Sequence, residues 1–409
     1  MSARHILYVS GSIGLGHVAR DLAIAAELRR SEPAVDISWL AAGPARDELE
    51  RVGETLLPEA PSYESDTAVA ESVATGYGAN LTRYLFRARG AWKRNAQTFS
   101  RISAQMRFDV VVSDEAYELS VYLAGSPSRQ RCPYVVLVDF FGVDTMNGGL
   151  RDRLVASYFN WVWVRCDHRL LTGDGRNLCL FVGEPDDIRA GRLGWGLPDR
   201  RGHAERYWQF VGYVIGFDPA AYSDVSSLRA RLGYDERPLV VAAVGGSAIG
   251  GDLLGLCARS LPLVRRHLPG AQLVLVCGPR VSPTSLGPAE GLEVRGYVPD
   301  LHEHFAACDL AIVQGGGTST LELTALRRPF LFFPLEGHFE QEDVARRQAR
   351  VGAGVCLRFS QTTPESLAEA IVANLGATVD YAAPPVDGAR VAAELILSLA
   401  ERRGDAGEQ

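Results

Sequence analysis

The residues best suited to chemistry in this 409-residue chain lie between Gln314 and Gln341. An apolar, strand-like run ends at Gln314, and three glycines, three hydroxyl residues and then Glu322 follow it. Backbone N–H groups and hydroxyls at a helix start attract an anion such as a diphosphate, and Glu322 lies one turn later, within reach of ribose hydroxyls. The next loop carries Glu340 and Gln341, which suit bidentate hydrogen bonds to a sugar. Two such neighbouring loops predict a nucleotide-sugar site.

A second set of reactive residues follows the first apolar run of the chain. Its turn contains Gly14 and Gly16, where the backbone can approach a ligand closely before a helix begins. His17 follows them, and a neutral imidazole there can take a proton from an acceptor. Asp114, after another apolar run, can accept a hydrogen bond from the ring and orient it, with Glu115 as the alternative partner. We therefore predict His17 as a general base and Asp114 as the residue that orients it.

A third turn, Gly245-Gly246-Ser247-Ala248, follows the apolar run that opens the second half of the chain. Its amides and the Ser247 hydroxyl suit a diphosphate or a transferring sugar. A plain tight turn between a strand and a helix has the same composition, so this turn leaves both interpretations open.

Strands that end at one edge of a sheet must position these loops. The apolar runs are continuous rather than alternating, which is typical of parallel strands buried on both faces. Helix-period segments lie between them, so the sequence predicts an α/β protein with doubly wound sheets. The predicted strands are His5–Ser10, Asp36–Ala42, Asp109–Ser113, Tyr134–Asp139, Leu239–Val244, Gln272–Cys277, Leu292–Tyr297, Leu310–Gln314 and Pro329–Pro334.

The strand and helix pattern is present twice, which predicts two Rossmann-like domains. The segment Trp208–Tyr222 is rich in Gly, aromatic residues and Pro, and we interpret it as the connection. The expected domains are therefore residues 1–212 and 213–409, and a last helix after Gly388 is free to pack back on the N-terminal domain.

Composition narrows the classes of function. The formal net charge is −7, which argues against nucleic acid as the main partner because a phosphate backbone calls for a basic face. The seven cysteines form no CxxC pair, and the sequence has neither a signal segment nor a long uncharged apolar run. We expect a cytoplasmic protein without a transmembrane segment, and peripheral membrane contact stays open. The only acidic pair considered for a metal, Asp186-Asp187, lies in a Pro-containing loop, so no metal or cofactor is predicted.

With these motifs, the sequence resembles the GT-B glycosyltransferases. It is similar to the UDP-glycosyltransferases of small molecules and to the N-acetylglucosaminyl transferase that completes lipid II. The resemblance is most specific over Gln314–Gln341 and extends to the turn that ends at His17. It implies that the N-terminal domain binds the acceptor, that the C-terminal domain binds the donor, and that the two face each other across a cleft.

The resemblance also assigns individual positions. His17 and Asp114 match the family's base and its partner, Glu322 the acid on the ribose, and Glu340 and Gln341 the pair on the donor sugar. Relatives often carry a His at the position of Gln314, and the Gln brings no charge to the phosphate. His338 is a further candidate for a phosphate or sugar contact. The other positions implied at the donor are Gly246, Ser247, Val298, Gly316, Gly317, Thr318, Ser319 and Thr320.

These features predict an inverting, metal-independent sugar transferase. UDP is the first expected carrier and dTDP the second, the acceptor is a small molecule, and a role in natural-product (antibiotic) biosynthesis is reasonable. An acidic sugar would need a basic residue, for which Arg280 and His338 are the candidates. The turn before His17 also resembles UDP-sugar hydrolases of pseudaminic acid synthesis, so a hydrolase or 2-epimerase is the main alternative. A non-catalytic nucleotide-sugar binding protein is the second.

Overall fold

A computed structural model describes residues 3–11, 15–64, 81–145, 149–172, 175–245, 250–278, 281–283 and 287–407. Four predicted site residues, Gly14, Gly246, Ser247 and Arg280, lie outside these ranges. The described cysteines are all free, and most are buried.

The strands form two parallel six-stranded sheets, which confirms the predicted α/β class. The first sheet contains β1 (His5–Val9), β2 (Asp36–Leu40), β3 (Val110–Asp114), β4 (Tyr134–Val138), β5 (Asn177–Val182) and β6 (Gln209–Gly212). The second contains β7 (Leu239–Ala243), β8 (Gln272–Val276), β9 (Leu292–Arg295), β10 (Leu310–Gln314), β11 (Phe330–Phe333) and β12 (Val355–Cys356).

Helices connect the strands. In the first half they are α1 (Leu15–Ser31), α2 (Ala45–Arg51), α3 (Leu81–Gln105), α4 (Tyr117–Ala124), α5 (Leu150–Leu171) and α6 (Arg200–Tyr207). In the second half they are α7 (Val225–Leu232), α8 (Gly251–His267), α9 (Leu301–Ala307), α10 (Gly317–Ala325), α11 (Phe339–Arg350), α12 (Pro364–Asn374) and α13 (Gly388–Gly407).

The strand order fixes where a ligand can approach each sheet. The orders are β2-β1-β3-β4-β5-β6 and β12-β11-β10-β7-β8-β9. The direction of winding therefore reverses between β1 and β3 in the first sheet and between β7 and β10 in the second. In open α/β sheets, ligands bind beyond the carboxyl ends of the strands at this reversal.

Buried apolar side chains cover both faces of each sheet. In the first sheet, Ile6 and Tyr8 face one cluster, and Leu7 and Val9 face the other. In the second sheet two further clusters take the same arrangement. This two-sided burial explains why the strands read as continuous apolar runs in the sequence.

The chain divides into two compact units. Of the described residues, the second unit comprises 217–384, whereas the first includes those before Phe217 and the C-terminal residues from Pro385 onward. Helix α13 belongs to the first unit because its Ile396 and Ala392 lie in the same apolar cluster as Ile24 of α1. No described helix combines the length and the apolar character needed to cross a bilayer.

The structure contains three strands that the sequence did not predict, β5, β6 and β12. The segment Trp208–Tyr222 was expected to be a connection only, but its first residues form β6, an edge strand paired with β5. A short edge strand with a Gly at its end carries little of the pattern that identifies a central strand, because one of its sides pairs with no neighbour.

Candidate functional site

The first group of predicted catalytic residues meets where the winding of the first sheet reverses. Strands β1 and β3 pair directly, with Val9 opposite Ser113, so their carboxyl ends are neighbours. Asp114 is the last residue of β3, and His17 lies in the first turn of α1, beyond β1. The Nδ1 atom of His17 is 3.0 Å from the Oδ2 atom of Asp114. The structure thus brings together the two residues that the sequence proposed as a dyad.

Arg20 joins this pair, although the sequence analysis gave it no role. It lies three residues after His17 on α1 and therefore on the same face of the helix. Its guanidinium is buried, donates to the Asp114 carboxylate and donates from Nη1 to Asp139 Oδ2 at 2.9 Å. Its Nη2 atom also lies 2.8 Å from His17 Nδ1. His17 and Arg20 are polar residues three positions apart at a helix start, and this spacing is the sequence signal that identifies Arg20 as a neighbour of His17.

The tautomer of His17 follows from these contacts. Nδ1 either donates a proton to Asp114 or accepts one from Arg20, but it cannot do both. Only the first arrangement leaves the Nε2 lone pair free to take a proton from an acceptor. Because Arg20 already has two carboxylates to donate to, Asp114 and Asp139, we assign the Nδ1 proton to the bond with Asp114.

Glu115 lies on the other side of the imidazole. Its Oε2 atom is 3.8 Å from His17 Nε2, and its backbone is in the left-handed region, with φ of 50°. Its carboxyl is buried beside the imidazole. Asp114 faces Nδ1, so Glu115 does not take the place of Asp114 but contacts the nitrogen that would accept a proton.

Neighbouring carboxylates control the proton affinity of His17. Burial alone lowers the pKa of the imidazole, but the charges of Asp114 and Glu115 outweigh burial and raise it to about 9. Arg20 opposes this increase. The ring is therefore largely protonated at neutral pH, and it becomes a base when the proton leaves.

The same three residues offer the one cluster of metal-type ligands found among the described residues. Ligand atoms of His17, Asp114 and Glu115 lie within 4.8 Å of one another. However, the guanidinium of Arg20 is bonded to Asp114 and lies 4.0 Å from Glu115. A metal ion bound by these ligands would therefore compete with the guanidinium for Asp114.

The second group of predicted residues surrounds the start of α10. Gly316 precedes the helix with no side-chain cap, and a Cβ atom at this position would have nothing within 4 Å. The N–H groups of Gly317, Thr318 and Ser319 have no acceptor in the described part of the chain. Three unpaired donors at the positive end of a helix, beside open space, form a seat for an anion.

Gly315 holds the two predicted loops together. An added Cβ there would lie 2.6 Å from the Cα and 2.9 Å from the Cβ of Pro334, so only a glycine permits this approach. Strand β10 also pairs with β11, with Gln314 opposite Phe333. The loop that begins at Pro334 therefore lies directly beside the anion seat.

Thr320 does not face the anion seat. Its hydroxyl donates to the carbonyl oxygens of Gly316 at 2.8 Å and Gly317 at 3.1 Å, and the residue is fully buried. A threonine inside a helix commonly bonds back to the preceding turn in this way. The proton of the Thr320 hydroxyl is thus engaged within the helix, whereas Thr318 and Ser319, both half-buried, keep their hydroxyls at the helix start.

Glu322 lies one turn further along α10. Its side chain keeps some exposed surface and has no hydrogen bond among the described residues. Burial by the surrounding protein nonetheless raises its pKa to about 8. At neutral pH the carboxyl is therefore mostly protonated, so it can both donate to and accept from a pair of ribose hydroxyls.

The loop after β11 is internally braced by Gln341. The side-chain oxygen of Gln341 accepts a hydrogen bond of 2.7 Å from the backbone N–H of Leu335. This oxygen is engaged within the loop and the amide nitrogen remains to donate, so the contact of Gln341 with a sugar stays a prediction. Glu340 lies beside it in the first turn of α11 and is half-buried.

His338 precedes α11 and stacks on Phe339, with ring centroids 5.9 Å apart. Its Nδ1 atom is buried without a hydrogen-bond partner among the described residues. Burial lowers the pKa of His338 to about 4. The ring is neutral at physiological pH, so it suits a hydroxyl rather than the carboxylate of an acidic sugar.

The remaining described positions belong to both units. Gln314 ends β10 with its side chain buried. Gly16 lies in the first turn of α1 in the first unit. The side chain of Val298 packs on the core of the second unit beyond β9, so a base contact there would involve the backbone.

Comparison with known proteins finds similar chains. Residues 240–378 match the model of the glycosyltransferase family 28 C-terminal domain, and this range includes α10. An uncharacterized glycosyltransferase of Methanosarcina acetivorans is 25% identical over 90% of this chain and 88% of its own length. The UDP-N-acetylglucosamine–N-acetylmuramyl-(pentapeptide) pyrophosphoryl-undecaprenol N-acetylglucosamine transferase of Bifidobacterium longum is 26% identical over 88% of this chain and 86% of its own.

Solved structures resemble the whole chain. The calicheamicin glycosyltransferase CalG4 has a TM-score of 0.58 at 19% identity and covers 100% of this chain and 98% of its own. MurG of Acinetobacter baumannii has a TM-score of 0.53 at 15% identity and covers 97% of this chain and 99% of its own. At such identities these likenesses concern the fold, and they identify it as GT-B.

Proposed function

We propose that this chain, a glycosyltransferase of the GT-B fold, transfers a sugar from a nucleoside diphosphate to a small-molecule acceptor. The transfer inverts the configuration at the anomeric carbon. UDP is the first candidate carrier and dTDP the second. The observation that carries the proposal is the set of three unpaired N–H groups at the start of α10, with Glu322 one turn away.

The polar groups of the second unit can each contact a different part of the donor. The N–H groups of Gly317, Thr318 and Ser319 would hold the diphosphate, and Glu322 the ribose. Glu340, the Gln341 amide nitrogen and neutral His338 offer polar contacts to sugar hydroxyls. A cation also lies beside this surface, because Arg347 Nη2 donates to the carbonyl oxygen of Gly317 at 3.4 Å.

In the proposed transfer step each of these residues has a chemical role. The Nε2 atom of neutral His17 takes the proton of the acceptor O–H or N–H, and the acceptor attacks the anomeric carbon from the face opposite the diphosphate. The C–O bond to the diphosphate breaks, and its electron pair stays on the departing phosphate oxygen. Preorganised N–H donors stabilise that developing charge, and one such donor is commonly worth about 3–4 kcal/mol. Asp114 stabilises the imidazolium that forms.

Product analysis distinguishes transfer from hydrolysis. The protein would be incubated with UDP- and dTDP-sugars in EDTA, with and without a panel of hydroxylated aromatic and macrolide-like acceptors, and the products would be identified by mass spectrometry. We chose this panel because structural neighbours include glycosyltransferases of calicheamicin and spinosyn. Transfer predicts a glycosylated acceptor whose anomeric configuration, assigned by NMR, is inverted, and His17→Ala should form it about 10²- to 10⁴-fold more slowly than wild type. Free sugar as the only product, at a rate that acceptors do not change, would indicate a hydrolase instead.

A further inference from the structure

Helix α5 has an apolar stripe on its exposed side. Leu150, Leu154, Tyr158 and Trp161 follow one another at spacings of four, four and three residues, which places them on one face of a helix. Their exposed fractions are 76%, 64%, 51% and 45%. The opposite side of α5 already packs on the core of the first unit, for example through Cys166 and Leu170. The stripe is therefore a second apolar face that the core of this unit does not use.

The basic and acidic residues of α5 differ in exposure. Arg151, Arg153, Arg165 and Arg169 are exposed, whereas the two acids of the helix, Asp152 and Asp167, are buried. Asp167 accepts hydrogen bonds from Trp208 and pairs with His203 inside the unit. The exposed surface of this helix consequently combines apolar side chains with positive charge alone.

Aromatic contacts organise the stripe. The rings of Tyr158 and Trp161 stack with centroids 6.1 Å apart, and the guanidinium of Arg165 lies 5.3 Å from the Trp161 ring. Trp and Tyr have an apolar body and a polar tip, and arginine can lay its apolar stem on such rings while its charge stays in water.

A loop adds a further indole beside the stripe. A Cβ atom on Gly194 would lie 2.9 Å from the hydroxyl oxygen of Ser157, so this loop packs closely against α5. Ser157 neighbours Tyr158 in the chain, and Trp195, the residue after Gly194, is 100% exposed. A fully exposed tryptophan next to an exposed apolar stripe is unusual for a surface that contacts only water.

We propose that this surface, the α5 stripe with Trp195, binds an anionic lipid membrane peripherally. Leucines can enter the acyl boundary, aromatic rings suit the headgroup level, and arginines attract anionic lipids. A second copy of the chain fits less well, because a twofold contact would set the same arginine-rich surface against itself. The membrane surface requires no transmembrane helix and does not depend on the identity of the sugar donor.

Vesicle binding tests this assignment. The full chain would be sedimented with phosphatidylcholine vesicles that contain phosphatidylglycerol and with pure phosphatidylcholine vesicles, at low and high salt. Leu154→Glu places a negative charge in the middle of the stripe. Val121→Glu is the matched control, since Val121 is also an exposed apolar residue, 49% exposed, on helix α4 of the same unit.

The expected result is binding to the anionic vesicles that high salt weakens. Leu154→Glu should reduce it about tenfold or more, and Val121→Glu should retain it. If Leu154→Glu fails to fold, Arg151→Glu combined with Arg165→Glu replaces it, because both positions are exposed. No binding by wild type, equal losses in the variant and the control, or a wild-type oligomer that Leu154→Glu dissociates would each overturn the proposal, the last in favour of a second copy.

Discussion

The imidazole of His17 and the carboxylate of Asp114 lie 3.0 Å apart although 97 residues separate them in the chain. Adjacent parallel strands bring them together, and Arg20 holds the carboxylate from the other side. A buried acid in this arrangement keeps its charge, since Arg20 and His17 outweigh the effect of burial and lower the pKa of Asp114. The dyad is thus built into the point where the first sheet reverses direction.

Replacing the proposed base should slow transfer without weakening donor binding. We expect His17→Ala to lower kcat by about 10²- to 10⁴-fold, the usual contribution of a positioned acid or base. Steady-state kinetics with a saturating acceptor measures the effect. Donor affinity, measured by calorimetry, serves as the control because the anion seat belongs to the second unit. An unchanged kcat in a folded variant would remove His17 from the mechanism.

The pH dependence should follow the proton on His17. Because the base acts when neutral and its pKa is about 9, kcat/KM should rise with pH up to about 9 and level off above it. Glu115→Gln removes one of the carboxylates that raise this pKa, so the rising limb should move to lower pH. Rate profiles of both proteins test this. If the rising limbs of the two pH profiles coincide, Glu115 does not affect the pKa of His17.

The proton on Glu322 should matter for nucleotide binding. Since its pKa of about 8 makes the carboxyl mostly neutral at pH 7, Glu322→Gln should keep the UDP Kd within about threefold of wild type, while Glu322→Ala should raise it about tenfold, as for one lost hydrogen bond. Calorimetric titration with UDP compares the three proteins. If the glutamine variant binds as poorly as the alanine variant, the ionised carboxylate is the binding form.

Gly315 and Gly316 should respond differently to a methyl group. Gly315→Ala forces Pro334 to move, and overpacking of this kind should lower the unfolding temperature of the second unit by about 2–10 °C. Gly316→Ala meets open space, so it should leave stability nearly unchanged but weaken UDP binding at the anion seat. Differential scanning calorimetry and UDP titration separate the effects. Equal destabilisation by both changes would contradict the close approach of the two loops.

Much of the fold was predictable because its strands are buried on both faces. The predicted limits of Leu310–Gln314 match β10, and the glycines after it identify the turn before α10. Edge strand β6 escaped prediction since its segment resembles a linker. The predicted boundary at residue 212 and the division at residue 216 both fall in that segment.

The site was predictable in residue type but not in orientation. The sequence placed Asp114 beside a strand end, yet it could not show that Arg20 would bond the same carboxylate. It treated Thr320 and Gln341 as ligand contacts, whereas the helix and the loop engage the Thr320 hydroxyl and the Gln341 oxygen internally. Side-chain oxygens near a backbone group commonly bond locally, and that choice depends on atomic geometry.

The anion seat at α10 can be tested most directly by placing a charge in it. Calorimetry of UDP binding in EDTA would compare wild type with Thr318→Asp, at the second residue of α10, and with Ser226→Asp, an exposed position at the second residue of α7. Both aspartates suit the helix dipole, so neither should destabilise its helix. The proposed function predicts that Thr318→Asp weakens UDP binding about tenfold or more while Ser226→Asp binds like wild type. Equal UDP affinity in all three proteins, or no UDP binding by wild type, would contradict it.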